Sequence, residues 1–405
     1  MRRFKNPYWL LTILFLGLIV AVPLIQTAKE ATQDEGVIAL ELFGATPTAA
    51  NLRSYEKKLE EASWLGLLSR HWIQFAQFAW LGYGGEKVVV GSHGWYFFKP
   101  GLNSMLARSQ IMGLATGTND PVAAIIDFRD QLAARGIHLL VMPVPNKESI
   151  YPDRLTSRGE KMRGIVAPRT REMLDGLKAA GVEVVDLFKE FNEARWQNRN
   201  PETPLYLAQD THWSPAGVAL AVNQVALRLT ALGWVRPGHF DYSERVAPVQ
   251  RLGDILHMLQ TPAIERMVTP EKVVAVQVTR GEDHQLYKDD PNAEIIVLGD
   301  SFMRIYQEDQ PNAAGFIAHL AKKLKQPVLS LVNDGGGSTL VREELSGRPP
   351  FLKNKKVVIW EFVERDIGIG IKGWRRVQLP PTPPPAITDH WGAEKMVATR
   401  INRIL

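Results

Sequence analysis

The chain has 405 residues, 45% apolar and 22% charged, with a formal net charge of +5. This is ordinary globular composition, long enough for a sizeable core, and it excludes disorder as the default state. The absence of cysteine excludes disulfides and thiolate metal sites and suits an oxidising compartment, while the scattered lysines and arginines leave no nucleic-acid footprint.

The N-terminus departs from that average. Met1-Arg-Arg-Phe-Lys5 is a basic start, and Tyr8 to Ile25 carries no charge. At 1.5 Å per residue that stretch would reach about 27 Å, close to the hydrocarbon thickness of a bilayer. Ile25-Gln-Thr-Ala-Lys29 is only a loose cleavage site, so residues 1–30 are expected to be an uncleaved anchor rather than a removed signal. The basic residues before the span, with Glu30 and Glu35 after it, orient the N-terminus inward and the rest of the chain outside the cytoplasm.

Residues 31–85 read mostly as helix, a stalk or cap in which Trp64, Trp72 and Trp80 recur every eight residues and are expected to pack in a core. Two glycine clusters then lead into strand-like Val88–Val90 and Trp95–Phe98, where residues 86–375 begin an alternating pattern. A helix over Pro121 to Ala134 precedes a strand at His138–Met142, and a helix over Val166 to Ala180 precedes a strand at Val182–Asp186. The helix Ala216 to Leu232 has Ser214 as N-cap and Pro215 in its first turn. Strands follow at Ile295–Leu298, Val328–Val332 and Val357–Phe362, the first two separated by a helix over Asn312 to Leu324. Such alternation predicts an α/β fold with a largely parallel sheet flanked by helices. Val249 to Asp290 is β-like and polar, an insertion over the site. Residues 376–405 hold the proline run Leu379–Pro385 and a terminal helix, Trp391 to Leu405.

Two motifs carry chemistry. Gly299-Asp-Ser-Phe302 directly follows the apolar run Glu294–Leu298, putting Ser301 where a buried strand breaks into a loop. Asp210-Thr-His212 opens onto a helix about ninety residues earlier. A serine becomes a nucleophile when a neighbouring base takes its proton and a carboxylate orients that base, and Ser301, His212 and Asp210 can fill those roles. The Ser301 backbone N–H and Asn333-Asp-Gly335-Gly-Gly337 are candidates for oxyanion donors. Arg304, Tyr306 and Trp213 are candidates for sugar contacts; Trp360 is expected in the core, Glu361 and Arg365 as an ion pair or a loop, and Asn146 and Lys147 at a strand end. No metal or cofactor is expected: the remaining histidines lack ligand spacing, and a zinc site on His212 and Asp210 needs a third ligand to which the sequence does not point.

With these residues the chain resembles the alginate O-acetyltransferase family of the AlgJ/AlgX type, whose domain is SGNH-hydrolase-like. Asp210, His212 and Ser301 follow that family's order, carboxylate and histidine before serine, and Gly91 to Phe98 is similar to its Asp-Gly-Trp-Leu-Phe segment with His93 in the acidic position. The resemblance runs from about Gly85 to Trp374. An N-terminal anchor, without the C-terminal carbohydrate-binding module that the AlgX type adds, is closer to AlgJ. Asp300 stands where alginate members tend to carry threonine, which leaves the polymer open. The resemblance implies a periplasmic enzyme at the bacterial inner membrane that transfers acetyl to hydroxyls of an exopolysaccharide such as alginate through an acyl-serine. A multispanning membrane acyltransferase would supply the acetyl group. A carbohydrate esterase with the same three residues, and a non-catalytic polysaccharide-binding or assembly subunit, are the alternative readings.

Overall fold

A computed structural model describes residues 8–32, 36–44, 46, 48–106, 119–162, 164, 167–197, 203–281, 284–369 and 372–381. The basic N-terminus, most of the proline run and the terminal helix expected at Trp391 to Leu405 lie outside them.

Five parallel strands form the central sheet: β3 (His138–Val144), β4 (Glu183–Val184), β8 (Ile295–Gly299), β9 (Leu329–Val332) and β10 (Val357–Val363), in the order β4-β3-β10-β8-β9. Every residue of β8 and β10 is buried, which is why these segments read as continuous apolar runs rather than alternating ones. Their side chains nonetheless alternate between two cores. Leu140, Met142, Ile295, Val297, Val357 and Ile359 face one layer, with the helices Pro215–Ala231 and Phe316–Leu324. Leu139, Val141, Ile296, Leu298, Val358 and Trp360 face the other, with the helices Pro121–Ala133 and Pro168–Ala179. The fold is therefore the α/β sandwich that the pattern predicts. Trp360 packs against Phe128, Phe362 and Trp374 and donates its indole N–H to Gly337 O at 2.7 Å.

Some elements are shorter than expected. The helix before β9 starts at Phe316, not Asn312, because Asn312 and Ala313 hold left-handed backbone (φ 69° and 48°). The strand expected at Val182–Asp186 pairs only through Glu183 and Val184, since Leu187 already opens a helix. Outside the sheet, β1 (Val88–Val90) pairs antiparallel with β2 (Tyr96–Phe98). The segment expected as an insertion is an antiparallel ribbon, β5 (Tyr242–Arg251) with β6 (Glu271–Arg280), the latter joined by the short β7 (Gln285–Leu286). Its connection holds the short helices Asp254–His257 and Pro262–Met267.

The N-terminal region is helical over Tyr8–Ala31, Ile38–Gly44, Ala49–Ala62 and Trp64–Leu81, and Tyr8–Ala31 is long and apolar enough to cross a membrane. The core expected around the tryptophans is not formed. Trp72 is 72% and Trp80 82% exposed, because the helix turns Phe75 and Phe78, not its tryptophans, toward the rest of the chain.

Candidate active site

Strand ends build the site. Asp300 and Ser301 leave the C-terminal end of β8, Asn146 and Lys147 that of β3, and Glu364 that of β10, the edge at which open α/β sheets bind ligands. The turn after β8 is tight. A Cβ on Gly299 would stand 2.4 Å from Met303 Cγ and 2.6 Å from Glu361 Oε2, so only glycine lets the chain swing beside β10. Asp300 then caps the short helix Ser301–Arg304, its Oδ1 accepting from Phe302 N at 2.9 Å. Ser301 opens that helix and is partly exposed, while Asp300 beneath it is fully buried.

The histidine loop is clamped from three sides. Ser214 caps the helix Pro215–Ala231 by accepting from Gly217 N. Glu271 on β6 accepts from Ala208 N and Gln209 N at 2.9 and 2.8 Å. Buried Lys147 donates to the carbonyls of Leu207, Ala208 and Asp210 at 3.0, 3.2 and 2.7 Å. Burial lowers the Lys147 pKa to about 8 against the pull of Asp254, Asp210, Glu271 and Glu148.

Within this frame the three residues singled out in the sequence meet. His212 Nε2 lies 2.8 Å from Ser301 Oγ, and His212 Nδ1 lies 2.6 Å from Asp210 Oδ1. Asp210 Oδ1 also accepts from His212 N at 3.1 Å, while its Oδ2 accepts from Arg251 Nε at 2.9 Å and Asp254 N at 3.3 Å. Burial raises the Asp210 pKa, but the His212 and Arg251 charges and hydrogen bonds hold it well below the usual carboxylate range. Burial alone would lower the His212 pKa; the Asp210 carboxylate outweighs it, with Asp254 adding to the effect, and the balance lies above the ordinary value. A histidine so held presents Nε2 to the serine as a proton acceptor and is stabilised once charged.

Arg251 and Asp254 are residues that the sequence did not single out. Thr211 donates to Asp254 from N and Oγ1 at 2.7 and 2.6 Å, which leaves Asp254 Oδ2 3.7 Å from His212 Nδ1. Asp210, His212 and Asp254 thus offer three ligand atoms near one another, the third ligand that spacing alone did not reveal. A divalent cation there would have to displace the Arg251 guanidinium and the Thr211 donors.

The other candidates are placed differently. Trp213, considered for stacking on a sugar, is wholly buried, with Phe302 edge-on at 5.3 Å and Phe316 stacked at 6.1 Å, so its ring has no face free. Tyr306, considered for a sugar contact, is equally buried and donates to Trp213 O at 3.3 Å. Arg304 is held between Asp334, at 2.9 Å, and Asp309. Asn333 donates its backbone N–H to Gly299 O at 3.0 Å and its amide to Glu344 at 3.1 Å, and Gly335 takes φ 66° in the turn after β9. Glu361 accepts from Asp300 N at 2.9 Å. Arg365 donates its backbone N–H to Asn146 Oδ1 at 3.2 Å and sets its guanidinium over the Phe302 ring.

The family model for the SGNH hydrolase-like domain of acetyltransferase AlgX matches residues 88–364. The chain belongs to this family. It is 24% identical over 321 residues to the probable alginate O-acetylase AlgJ of Azotobacter vinelandii, covering 77% of this chain and 78% of that protein. To the probable alginate O-acetylase AlgJ of Pseudomonas fluorescens it is 26% identical over 298 residues, 70% of this chain and 68% of that one. Among solved structures, the O-acetyltransferase domain of Pseudomonas putida AlgJ superposes with a TM-score of 0.53 at 19% identity, over 70% of this chain and 93% of that domain. This likeness supports the SGNH-like fold, and the match to the AlgX-type family model begins at β1 and ends just past β10.

Proposed function

We propose that this AlgX-family chain is an exopolysaccharide O-acetyltransferase in which Ser301 carries the acetyl group, His212 moves the proton and Asp210 orients His212. The observation that carries the reading is the unbroken chain from Asp210 Oδ1 through His212 to Ser301 Oγ, at 2.6 and 2.8 Å. Ser301 Oγ attacks the donor carbonyl while its proton passes to Nε2; the leaving group departs with that proton and acetyl-serine remains. A sugar hydroxyl then gives its proton to Nε2 and attacks the acetyl carbon, and Ser301 Oγ leaves and recovers the proton. Developing charge on the carbonyl oxygen is met by the Ser301 N–H, which opens a helix and has no intrahelical acceptor.

The names of the relatives point to alginate as the acceptor. In this reading the apolar helix Tyr8–Ala31, with basic residues before it, anchors the chain in a bacterial inner membrane with the remainder on the periplasmic side. The donor in this reading is a multispanning membrane acyltransferase. Residues 1–30 are then anchor, 31–85 stalk, 86–375 the acetyltransferase domain and 376–405 a tail. The test is incubation of the full chain with an activated acetyl ester and mannuronate oligomers, followed by mass spectrometry of the sugars. Acetylated oligomers from the wild type and none from Ser301→Ala are expected; free acetate as the only product would make the protein an esterase.

A further inference from the structure

The helix Trp64–Leu81 carries an apolar face that no described residue covers. Phe75 and Phe78 pack inward against Val88, Tyr96, Ile255, Leu256 and Ile264, with the Phe78 ring stacked 6.1 Å from that of Tyr96. At 100° per residue, Leu68, Ala79, Trp72, Ala76, Trp80 and Ile73 fall, together with Leu65 and Ser69, in one arc of about 140° beside Phe75, and none of them is charged. Leu68 is 63% exposed, and Trp72 and Trp80 more so. A helix face turned to water would be expected to carry charge there, and an apolar area of this extent marks an interaction surface.

The start of the helix fixes what that surface meets. Trp64 donates its backbone N–H to Gln26 Oε1 at 2.8 Å and its indole N–H to Val22 O at 3.3 Å, and Gln26 Nε2 donates to Ala62 O at 3.0 Å. Val22 and Gln26 belong to the apolar helix Tyr8–Ala31. Counted from Tyr8, they lie about 21 and about 27 Å along it, near the point where a hydrocarbon core of about 30 Å ends. With Tyr8–Ala31 read as a span, the first turn of Trp64–Leu81 would be tied to the far edge of the bilayer.

We propose that Trp64–Leu81 lies in the plane of that membrane surface, with its Leu68, Trp72 and Trp80 face in the headgroup and acyl boundary of phospholipids. This rests on reading Tyr8–Ala31 as a span. Tryptophan, with an apolar body and a polar N–H, suits that depth. The inward face of the helix packs on Ile255 and Leu256, in the segment that also presents Asp254 to the histidine loop. The second membrane contact therefore fixes, through Ile255 and Leu256, the orientation of the segment that carries Asp254 over the lipid.

Because the chain has no cysteine, single labels can be placed without background. Leu16→Cys in the span, Trp72→Cys and Trp80→Cys on the outward face, and Val246→Cys on exposed β5 would each carry an environment-sensitive fluorophore. The full chain would be reconstituted in phosphatidylcholine and phosphatidylglycerol nanodiscs with or without nitroxide-bearing lipid. Emission at positions 16, 72 and 80 is expected to shift to the blue and to be lost with nitroxide lipid, while position 246 keeps its emission. If 72 and 80 behave like 246 while 16 is quenched, the span stands and the proposal falls, leaving the face to a protein partner. If 16 also keeps its emission, the span reading fails with it. All four side chains project away from the rest of the protein, so these substitutions leave the core intact.

Discussion

With His212 as the proposed base, its protonated form cannot take the Ser301 proton, so acyl transfer is expected to have an acid limb, and the surroundings of the ring set where it falls. Burial lowers the His212 pKa and the carboxylates of Asp210 and Asp254 raise it, with the balance above 6.5. kcat/KM is therefore expected to fall as pH drops through a value above 6.5, as read from a pH–rate profile. Asp254→Asn removes one of the raising charges and should move that limb to lower pH; an unmoved limb would leave Asp254 without electrostatic influence on the ring. Asp210→Asn keeps the shape but loses the charge and the correct tautomer, and should lower kcat by about 10³ to 10⁴. At this scale the three residues that meet were legible because each motif is local: a serine just past a buried strand, and a histidine two residues from its carboxylate. Arg251 and Asp254 were not, and Lys147 was placed at a strand end without its role, since these roles come from strands and loops far apart in the chain that meet only on folding. Trp213 and Tyr306 lie beside the reacting residues in sequence but point into the core, a direction that spacing alone does not give.

Two connections hold the reacting groups, and each has a residue on which it depends. Gly299→Ala would drive a methyl group into the buried side chains of Met303 and Glu361, so those side chains or the turn after β8 must shift, disturbing the packing beneath Ser301. Loss of transfer activity together with a lower Tm is expected, and normal values of both would contradict the close packing of that turn. Lys147→Met takes the ammonium donor from the carbonyls of Leu207, Ala208 and Asp210, of which Ala208 O keeps the Tyr96 N–H. A loss of about 3 kcal/mol in urea unfolding is expected, with activity falling further than stability because the histidine loop is released. Element type was readable wherever burial imposes a pattern: β8 and β10 lie between two helical layers and show unbroken apolar runs. Boundaries were harder. Nothing in Asn312-Ala313 announces the left-handed backbone that delays the next helix, and the run Val182–Asp186 looks like a full strand although only two of its residues pair.

Across the whole molecule, the sheet edge that carries the site is also rich in buried acids. Burial pushes the Glu148 carboxyl up to about 7, and burial together with the Asp300 charge does the same for Asp366. A carboxyl whose folded pKa exceeds its unfolded value binds more protons in the folded state, so its contribution is full below the ordinary pKa and lost as pH rises through about 7. His212, raised above 6.5, has the same sign. Tm is expected to decline between about pH 5 and about pH 7.5, and Glu148→Gln should flatten the decline; a Tm that rises over this window would contradict it. The same scale explains why the tryptophans of the N-terminal region misled. A spacing of eight advances a helix by about 80°, so Trp64 turns toward the helix Tyr8–Ala31 while Trp72 and Trp80 turn outward, and periodicity does not say whether such residues meet a protein core or another apolar surface.

The central claim is that acetyl passes through Ser301 with His212 as the base. Its most direct test is intact and peptide mass spectrometry of the full chain after brief exposure to an activated acetyl ester, for the wild type, Ser301→Ala and His212→Ala. The account requires one acetyl group mapped to Ser301 in the wild type and none there in either variant. No adduct on the wild type, or an adduct that persists unchanged in both variants, would contradict it.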